Sequence, residues 1–314
     1  MLTVISALIV AAGGFEPQTL VAGSPWVLPG HQETITAIAF SPDGKKLASA
    51  GRDKKVKVWS LDTGKELLAA SVAVQQLTAL AWSADGKRLA VGDSGLSVQV
   101  LAADTGTVLE QIAHPEGIAQ LAWQPDGSAV AVAGINDLGL VYEVPGGKKR
   151  FEFKGRTAQY SADGKWLLAA SNSSYFALID AKSGKPKQSV KTEPDVPLTT
   201  MTADAKVIAS WTPASTDVKL WSGDGKSLGV LKGPALELGS RKPTVTGVAV
   251  LRDGKRVLVG GADGVVRLFK VGAEAAAQRW PADKNQSLIV SADETWFAVI
   301  DSTVIKLWKV PAAN

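Results

Sequence analysis

The sequence contains no cysteine, which excludes disulfides, thiolate metal sites and cysteine nucleophiles. Histidine is nearly as scarce. Because only His31 and His114 are present, a three-histidine zinc centre cannot form, and a histidine-dependent triad would have to use one of the two. An excess of one charge is also lacking, since 34 Lys and Arg residues stand against 30 Asp and Glu residues. This near balance, with lysines scattered through turns, argues against a nucleic-acid-binding stripe.

A long hydrophobic run is missing as well. The uncharged and mostly apolar stretch Leu2–Gly14 is too short to span a bilayer, which takes about 20 residues as a helix. It ends in small residues suited to signal-peptide cleavage, but no Lys or Arg lies near Met1. Two interpretations of residues 1–18 therefore stay open. A cleaved signal peptide implies a periplasmic or secreted protein, and an uncleaved N-terminal extension implies a cytoplasmic one.

A recurring aspartate is the dominant feature of what is present. It lies in the same strand, turn, strand unit each time, at intervals of 37 to 49 residues. Such spacing is typical of four-stranded propeller blades, which repeat about every 40 to 45 residues. Seven units fill the chain, so we expect a single domain over residues 19–314. The repeated aspartates are Asp43, Asp85, Asp126, Asp163, Asp204, Asp253 and Asp293.

The residues around each aspartate have the chemistry of a hairpin turn. In the first unit, Pro42 presets one turn dihedral, Asp43 suits the next corner, and Gly44 accepts the left-handed conformation. The fifth and seventh units carry Ala205 and Glu294 in place of that glycine. If these two residues keep a positive φ, each costs roughly 1 kcal/mol.

Four strand-like segments follow one another within a unit. The first unit has an alternating strand over 36–40, a small apolar strand over 47–50, and a third strand, Val56–Trp59. A second turn at Asp62–Gly64 leads into an outer strand. Since only tight turns connect the strands, no room is left for helices, and the fold is predicted to be all-β.

The last unit ends shortly after its third strand and has no fourth. The strand-like segment Thr19–Leu28 precedes the first unit and is expected to supply this missing outer strand. The ring would then be fastened by both ends of the domain and would expose no sheet edge at the junction.

The first unit resembles the WD-repeat family, in Gly30-His31, Ser49, Asp53 and the strand Val56–Trp59. This resemblance implies a seven-bladed β-propeller with four-stranded antiparallel blades. It also implies a structural tetrad of hydrogen-bonded side chains within the blade. The tetrad residues would be His31, Ser49, Asp53 and Trp59.

No motif for catalysis, metal binding or cofactor binding is found in the sequence. The resemblance therefore implies a non-catalytic scaffold that binds one or more proteins and needs no cofactor. We expect it to be a monomer that binds no nucleic acid. Aromatic, polar and Arg residues in the loops form the candidate partner face. They are Arg52, Asn136, Tyr175, Trp211, Arg241 and Lys242.

The alternative function is a propeller enzyme or a cofactor-binding accessory protein with its site in the axial channel. Small, apolar residues predicted on the inner strands argue against it.

Most tryptophans are expected in the core, because they stand at the apolar positions of alternating strands. These are Trp59, Trp82, Trp123, Trp221 and Trp308. Trp211 differs, since it ends a strand beside an enlarged loop, where both an exposed contact and a packed ring are open.

Overall fold

The computed structural model describes residues 25–72, 75–171, 174–192, 198–212, 217–231, 245–271, 273, 276–282 and 287–311. Residues 1–18, for which two interpretations were left open, lie outside this set. Across the described ranges, no helix is long and apolar enough to cross a membrane. The same ranges contain 28 strands and no helix, which confirms the all-β prediction.

The strands form seven four-stranded antiparallel sheets, the blades of a β-propeller. An N-terminal strand precedes the first complete blade, and four strands follow for each of blades 1 to 3. These strands are β1 (Trp26–Pro29); β2 (Ile35–Phe40), β3 (Lys46–Gly51), β4 (Lys55–Ser60) and β5 (Glu66–Ser71) in blade 1; β6 (Leu77–Trp82), β7 (Arg88–Asp93), β8 (Ser97–Ala102) and β9 (Val108–Ala113) in blade 2; and β10 (Ile118–Trp123), β11 (Ala129–Gly134), β12 (Leu138–Glu143) and β13 (Lys149–Lys154) in blade 3.

Blades 4 to 6 repeat this order from the inner to the outer strand, and blade 7 has three strands of its own. The strands are β14 (Thr157–Tyr160), β15 (Trp166–Ser171), β16 (Tyr175–Asp180) and β17 (Pro186–Lys191) in blade 4; β18 (Leu198–Met201), β19 (Val207–Trp211), β20 (Val218–Ser222) and β21 (Ser227–Leu231) in blade 5; β22 (Val245–Val250), β23 (Arg256–Gly261), β24 (Val265–Lys270) and β25 (Gln278–Pro281) in blade 6; and β26 (Leu288–Val290), β27 (Trp296–Asp301) and β28 (Val304–Lys309) in blade 7.

Each repeated aspartate lies in the turn between the first and second strands of its blade. In blade 1, Asp43 Oδ1 accepts hydrogen bonds from Ser41 Oγ at 2.6 Å and from the Lys45 amide at 3.1 Å. The Ser41 hydroxyl is the main reason that the pKa of Asp43 lies below its usual value. Both unusual turn residues keep a positive φ, 56° at Ala205 and 56° at Glu294, against 68° at Gly44. The turn geometry therefore survives the loss of glycine.

Strand β1 completes blade 7 and closes the ring, as the unfinished last unit predicts. It pairs antiparallel with β28, where Trp26 lies opposite Leu307 and Leu28 opposite Ile305. The sheet order is β1-β28-β27-β26. Directly after β1, the backbone passes so close to Thr303 that a Cβ atom on Gly30 would collide with the Thr303 carbonyl. The junction therefore requires glycine at position 30.

The core lies between the blades. In blade 1, Trp59 is buried against Trp296 and Ile305 of blade 7. The second strands are the most deeply buried, and every residue of β11 is buried. Four of the five tryptophans that the sequence placed in the core are buried, namely Trp59, Trp82, Trp123 and Trp308. The fifth, Trp221, is only partly buried.

The inner strands are less apolar than the sequence analysis predicted. Neutral polar side chains lie among the predicted small apolar ones, although none of these strands carries a charged residue. These polar groups join neighbouring blades across the channel wall. The Thr36 hydroxyl donates to the Leu77 carbonyl at 2.8 Å, and Gln120 Oε1 accepts from the Ala158 amide at 3.0 Å. Gln159 likewise accepts from the Met201 amide at 3.0 Å.

Ring closure by β1 is tested by Leu28→Ala. Leu28 is 1% exposed, so we expect the free energy of unfolding to fall by about 2 to 5 kcal/mol through lost burial and a residual cavity. Val27→Ala on the same strand is the control, because Val27 is 38% exposed, and we expect a loss of about 0.5 kcal/mol or less. Urea denaturation followed by tryptophan fluorescence measures both. Equal losses would contradict the contribution of β1 to the core.

Candidate interaction surface

The propeller has two rims with different loops. We call the upper rim the edge that carries the turns between second and third strands and the connections between blades. The lower rim carries the other hairpin turns, including those with the repeated aspartates. Arg52 and Asn136 lie on the upper rim, in the turns after β3 and β11.

The four tetrad residues of blade 1 form a continuous chain of hydrogen bonds that runs from the upper rim into the blade. Trp59 Nε1 donates to Ser49 Oγ at 3.2 Å. Ser49 Oγ lies 2.8 Å from His31 Nε2, and His31 Nδ1 lies 2.8 Å from Asp53 Oδ1. Because Ser49 accepts from Trp59 and Asp53 accepts from His31, the consistent arrangement is a neutral imidazole that carries its proton on Nδ1. Asp53 also accepts from the Lys55 amide at 3.2 Å, which holds the turn.

Both histidines are held neutral by their surroundings. Burial lowers the pKa of His31 and outweighs the hydrogen bond that the imidazole donates to Asp53, which raises it. Burial also lowers the pKa of His114, against the opposing charge of Glu116. The Tyr142 hydroxyl donates to the Ala113 carbonyl, so His114 Nδ1 donates to Tyr142, at 3.2 Å. His114 Nε2 is buried and has no hydrogen-bond partner within the described part of the chain.

Other blades hold the corresponding turn with a carboxylate from a different position. In blade 2, Asp93 at the end of β7 accepts from the Gly95 and Ser97 amides. In blade 3, Glu116 from the preceding connection accepts from the Asn136 and Leu138 amides, both at 3.1 Å. Sequence reasoning missed these substitutes, because the carboxylate comes from a different point of each repeat.

Blade 6 replaces the histidine by an arginine. Arg267 on β24 forms a bidentate ion pair with Asp263, in which Nη1 lies 3.1 Å from Oδ1 and Nη2 bonds Oδ2. Both side chains are almost completely buried. A Cβ atom on Gly261 would collide with the Asp263 carboxylate, so glycine leaves the space that the pair needs. Arg267 thus points into the propeller, where its guanidinium balances the charge of Asp263.

The structure separates the residues of the candidate partner face. Arg52 and Asn136 are exposed on the upper rim, and Tyr175 at the start of β16 is half-buried. Asn136 and Tyr175 lie together in one groove between blades 3 and 4. Arg52 belongs to blade 1 and stands apart from them. Arg241 and Lys242 lie outside the described residues.

Trp211 does not present an exposed ring. It ends β19 and packs against Val245 and Val248 of blade 6, with 9% of its surface exposed. The indole was assigned to the candidate face because the loop beside it is enlarged. That expectation is wrong, because the neighbouring blade covers the ring where the strand ends.

A groove between blades 3 and 4 contains two of the predicted residues, Asn136 and Tyr175. Its volume is about 730 Å³, and it runs from the upper rim at Asn136 to the lower turn at Gly184. Its floor is apolar, with Phe153 from β13 and Ala177 and Ile179 from β16. Asp137, Glu152 and Lys154 also line it.

The axial channel offers little for chemistry. Its wall carries the uncharged inner strands, and a cavity of about 420 Å³ there is lined by Gln120, Gln159, Thr199, Thr246 and neighbouring residues. Among the residues that the structure describes, no group of three or more His, Asp or Glu side chains is arranged to hold a metal ion.

Closed, four-stranded blades around an axis, with a hydrogen-bonded tetrad in the first, define the class of the protein as a β-propeller built from repeats. Family models agree with this. The model described as "WD domain, G-beta repeat" matches residues 23–60 and 225–270. A second model, "Anaphase-promoting complex subunit 4 WD40 domain", matches residues 69–124. The chain is a β-propeller that contains repeats of the WD family.

Several relatives share parts of this chain. Periodic tryptophan protein 2 homolog of Schizosaccharomyces pombe is 26% identical over 183 residues, which are 50% of this chain and 16% of that protein. WD repeat-containing protein SL1-17 of Schistosoma mansoni is 44% identical over 46 residues, 15% of each protein. Notchless protein homolog of Arabidopsis thaliana is 51% identical over 37 residues, 12% of this chain and 8% of that protein. The chain thus spans less than a fifth of each of these relatives.

The neutral histidines predict a pH dependence of stability. Their pKa is lowered in the folded state, so the unfolded chain takes up protons first as pH falls. The free energy of unfolding is therefore fully retained above about pH 6.5, the ordinary histidine value, and is lost as pH falls towards the folded-state pKa. We expect a decline of up to about 1.4 kcal/mol per pH unit for each histidine.

Urea denaturation between pH 8 and pH 5 measures this decline. His114→Gln removes one titrating group and should make the slope shallower. A profile that stays flat through this range in the unmodified protein would contradict the neutral assignment.

The buried Arg267–Asp263 pair predicts that substitutions of its two residues have strongly coupled effects on the free energy of unfolding. Arg267→Met leaves the Asp263 carboxylate buried without its cation and should cost about 3 to 5 kcal/mol of unfolding free energy. The double variant Arg267→Met/Asp263→Asn should cost less than the sum of its parts. Lys149→Met is the control, because the Lys149–Glu152 pair is exposed and should contribute about 1 kcal/mol or less. Additive losses in urea denaturation would refute the coupling.

Proposed function

We propose that this chain is a non-catalytic scaffold that holds one or more proteins on its upper rim. The observation that carries the proposal is the way in which the polar groups are used. His31, Asp53 and Arg267 lie in hydrogen-bonded structural networks, and the repeated aspartates hold turns. Among the described residues, no cluster of three or more His, Asp or Glu side chains is arranged to hold a metal ion, which is one common basis of catalysis.

The rigidity of the disc supports a binding role. Antiparallel strands joined by short turns, and a ring fastened by β1, present the upper-rim residues in constant relative positions. Arg52 and Asn136 are exposed there. A preorganised surface loses little conformational freedom on binding, which favours affinity for a partner.

The uncharged channel argues against the alternative function. A channel cofactor or substrate that bears charge would need neutralising groups, and none of the seven inner strands carries one. We infer that the functional unit is a monomer, because the ring satisfies its own edges at the closure.

Photo-crosslinking tests which rim binds. A benzoylphenylalanine at Arg52 or Asn136 should give cross-linked products of discrete mass with proteins in an extract of the source cells. The same probe at Lys182 or Lys206, which are exposed on the lower rim, is the control and should give none. Equal products from both rims, or none from the upper rim, would refute the proposal.

A further inference from the structure

A strained leucine on the upper rim departs from the repeat. Leu96 directly precedes the third strand of blade 2, β8, and its φ is 65°, in the left-handed region that L side chains rarely adopt. Glycine adopts this conformation freely, and Asn and Asp adopt it more readily than leucine does. The residue directly before the third strand also has a positive φ in blades 1, 3, 4 and 6, where it is polar or glycine. These residues are Lys54, Asp137, Ser174 and Gly264.

The turn uses the backbone of Leu96 but not its side chain. The Leu96 carbonyl accepts a hydrogen bond from the His114 amide at 2.8 Å. In blade 6 the Gly264 carbonyl accepts the equivalent bond from Ala282 at 2.7 Å, so the turn forms without a side chain at this position. The Leu96 side chain is 42% exposed and belongs to none of the seven core clusters that the described residues form. An apolar side chain held in a strained and exposed position points to a role in binding.

A second exposed apolar residue lies near Leu96 on the upper rim. Ile135, in the turn between β11 and β12, is 45% exposed and is also absent from those core clusters. The connection His114–Gly117 joins the two turns, since its first amide donates to the Leu96 carbonyl and its last carbonyl accepts from the Ile135 amide, both at 2.8 Å. Four residues span at most about 14 Å, so the two turns lie close together in fixed positions. Pro115 lies exposed between them. We call Leu96, Pro115 and Ile135 the apolar patch.

The surroundings of the apolar patch offer no unused charge. The two turns and the connection between them contain no Lys or Arg. Their carboxylates already accept hydrogen bonds from the protein itself. The exposed residues beside the patch are the neutral Gln75 and Asn136. An apolar centre with a polar border is typical of protein interfaces. The bonded carboxylates are those of Asp93, Glu116 and Asp137.

We propose that the apolar patch is the main binding hot spot of the upper rim, and that it binds an uncharged surface of a partner protein from which apolar side chains project. This inference rests on the proposed scaffold function and names the chemistry of the partner. Burial of Leu96 and Ile135 supplies the affinity. A charged partner group would lose its water and find no counter-charge. A lipid surface fits less well, because its anionic headgroups attract Lys and Arg, and the patch is bordered by carboxylates.

A displayed library of random dodecapeptides, selected on the intact protein, supplies a defined probe. The Leu96→Asn variant is present as soluble competitor, so that peptides bound elsewhere are removed. We expect the enriched peptides to share large apolar residues and to carry little net charge. An absence of enriched peptides, or enrichment of strongly charged ones, would overturn the proposal.

The Leu96→Asn variant separates binding from stability. Asn is similar in size to Leu and tolerates the left-handed region, so the urea midpoint should stay equal or rise. The affinity for one enriched peptide, measured by fluorescence anisotropy, should fall by roughly tenfold or more. A lower urea midpoint would assign Leu96 a structural role and refute the hot spot.

Two matched variants control for the change itself. Lys54→Asn makes the same substitution at the equivalent turn of blade 1 and should bind the peptide normally. Leu109→Asn removes a leucine that is 57% exposed on the outer strand β9, so it reports non-specific apolar adhesion and should also bind normally. Affinity losses in these controls that equal the loss in Leu96→Asn would refute the site.

Two further measurements separate this inference from the scaffold function. Vesicles of phosphatidylcholine and phosphatidylserine should leave the protein in solution, and sedimentation that depends on Leu96 would replace the protein partner by a lipid surface. Crosslinks from a benzoylphenylalanine at Arg52 should weaken by about tenfold in Leu96→Asn. If they persist at full strength, the hot spot fails and the scaffold function stands. If the unmodified upper rim gives none, both fail.

Discussion

The antiparallel pairing of β1 with β28 is the constraint on which the rest of the propeller depends. No blade has a core of its own, because each buries its apolar face against its neighbours, as Trp59 of blade 1 does against Trp296 of blade 7. Three strands in blade 7 would leave an open sheet edge at the point where first and last blades meet. Strand β1 fills this place, and every blade then has two complete neighbours.

The buried polar groups stabilise the tight turns that connect the strands of the blades. A buried backbone amide in a tight turn costs free energy unless it finds an acceptor. Blade 1 provides Asp53, positioned by His31, and blade 3 provides Glu116 from another part of its repeat. Blade 6 keeps the aspartate and balances its charge with Arg267. Because different residues meet the same physical requirement, the sequence motif differs from blade to blade although the fold is the same.

Departures from the repeat carry the individuality of this protein. At the position of Lys57, blade 4 has the small Ala177, and the large Phe153 of blade 3 packs in the same buried cluster. A groove of about 730 Å³ runs along these residues between blades 3 and 4. The backbone topology of blade 4 is the same as that of the other blades.

The sequence by itself determined the architecture. Turn chemistry around Asp43 and the strand alternation are local properties, and the unfinished last unit predicted an outer strand from Thr19–Leu28, the segment in which β1 begins. The resemblance of the first unit also led to His31, Ser49, Asp53 and Trp59, which meet at hydrogen-bond distances. Only the tertiary structure decided that Trp211 is covered, that Gln120 and Gln159 link blades, and that Ala177 borders a groove. These properties depend on what the neighbouring blade places against each residue. That neighbour is about 40 residues away in the chain, beyond the reach of a local pattern.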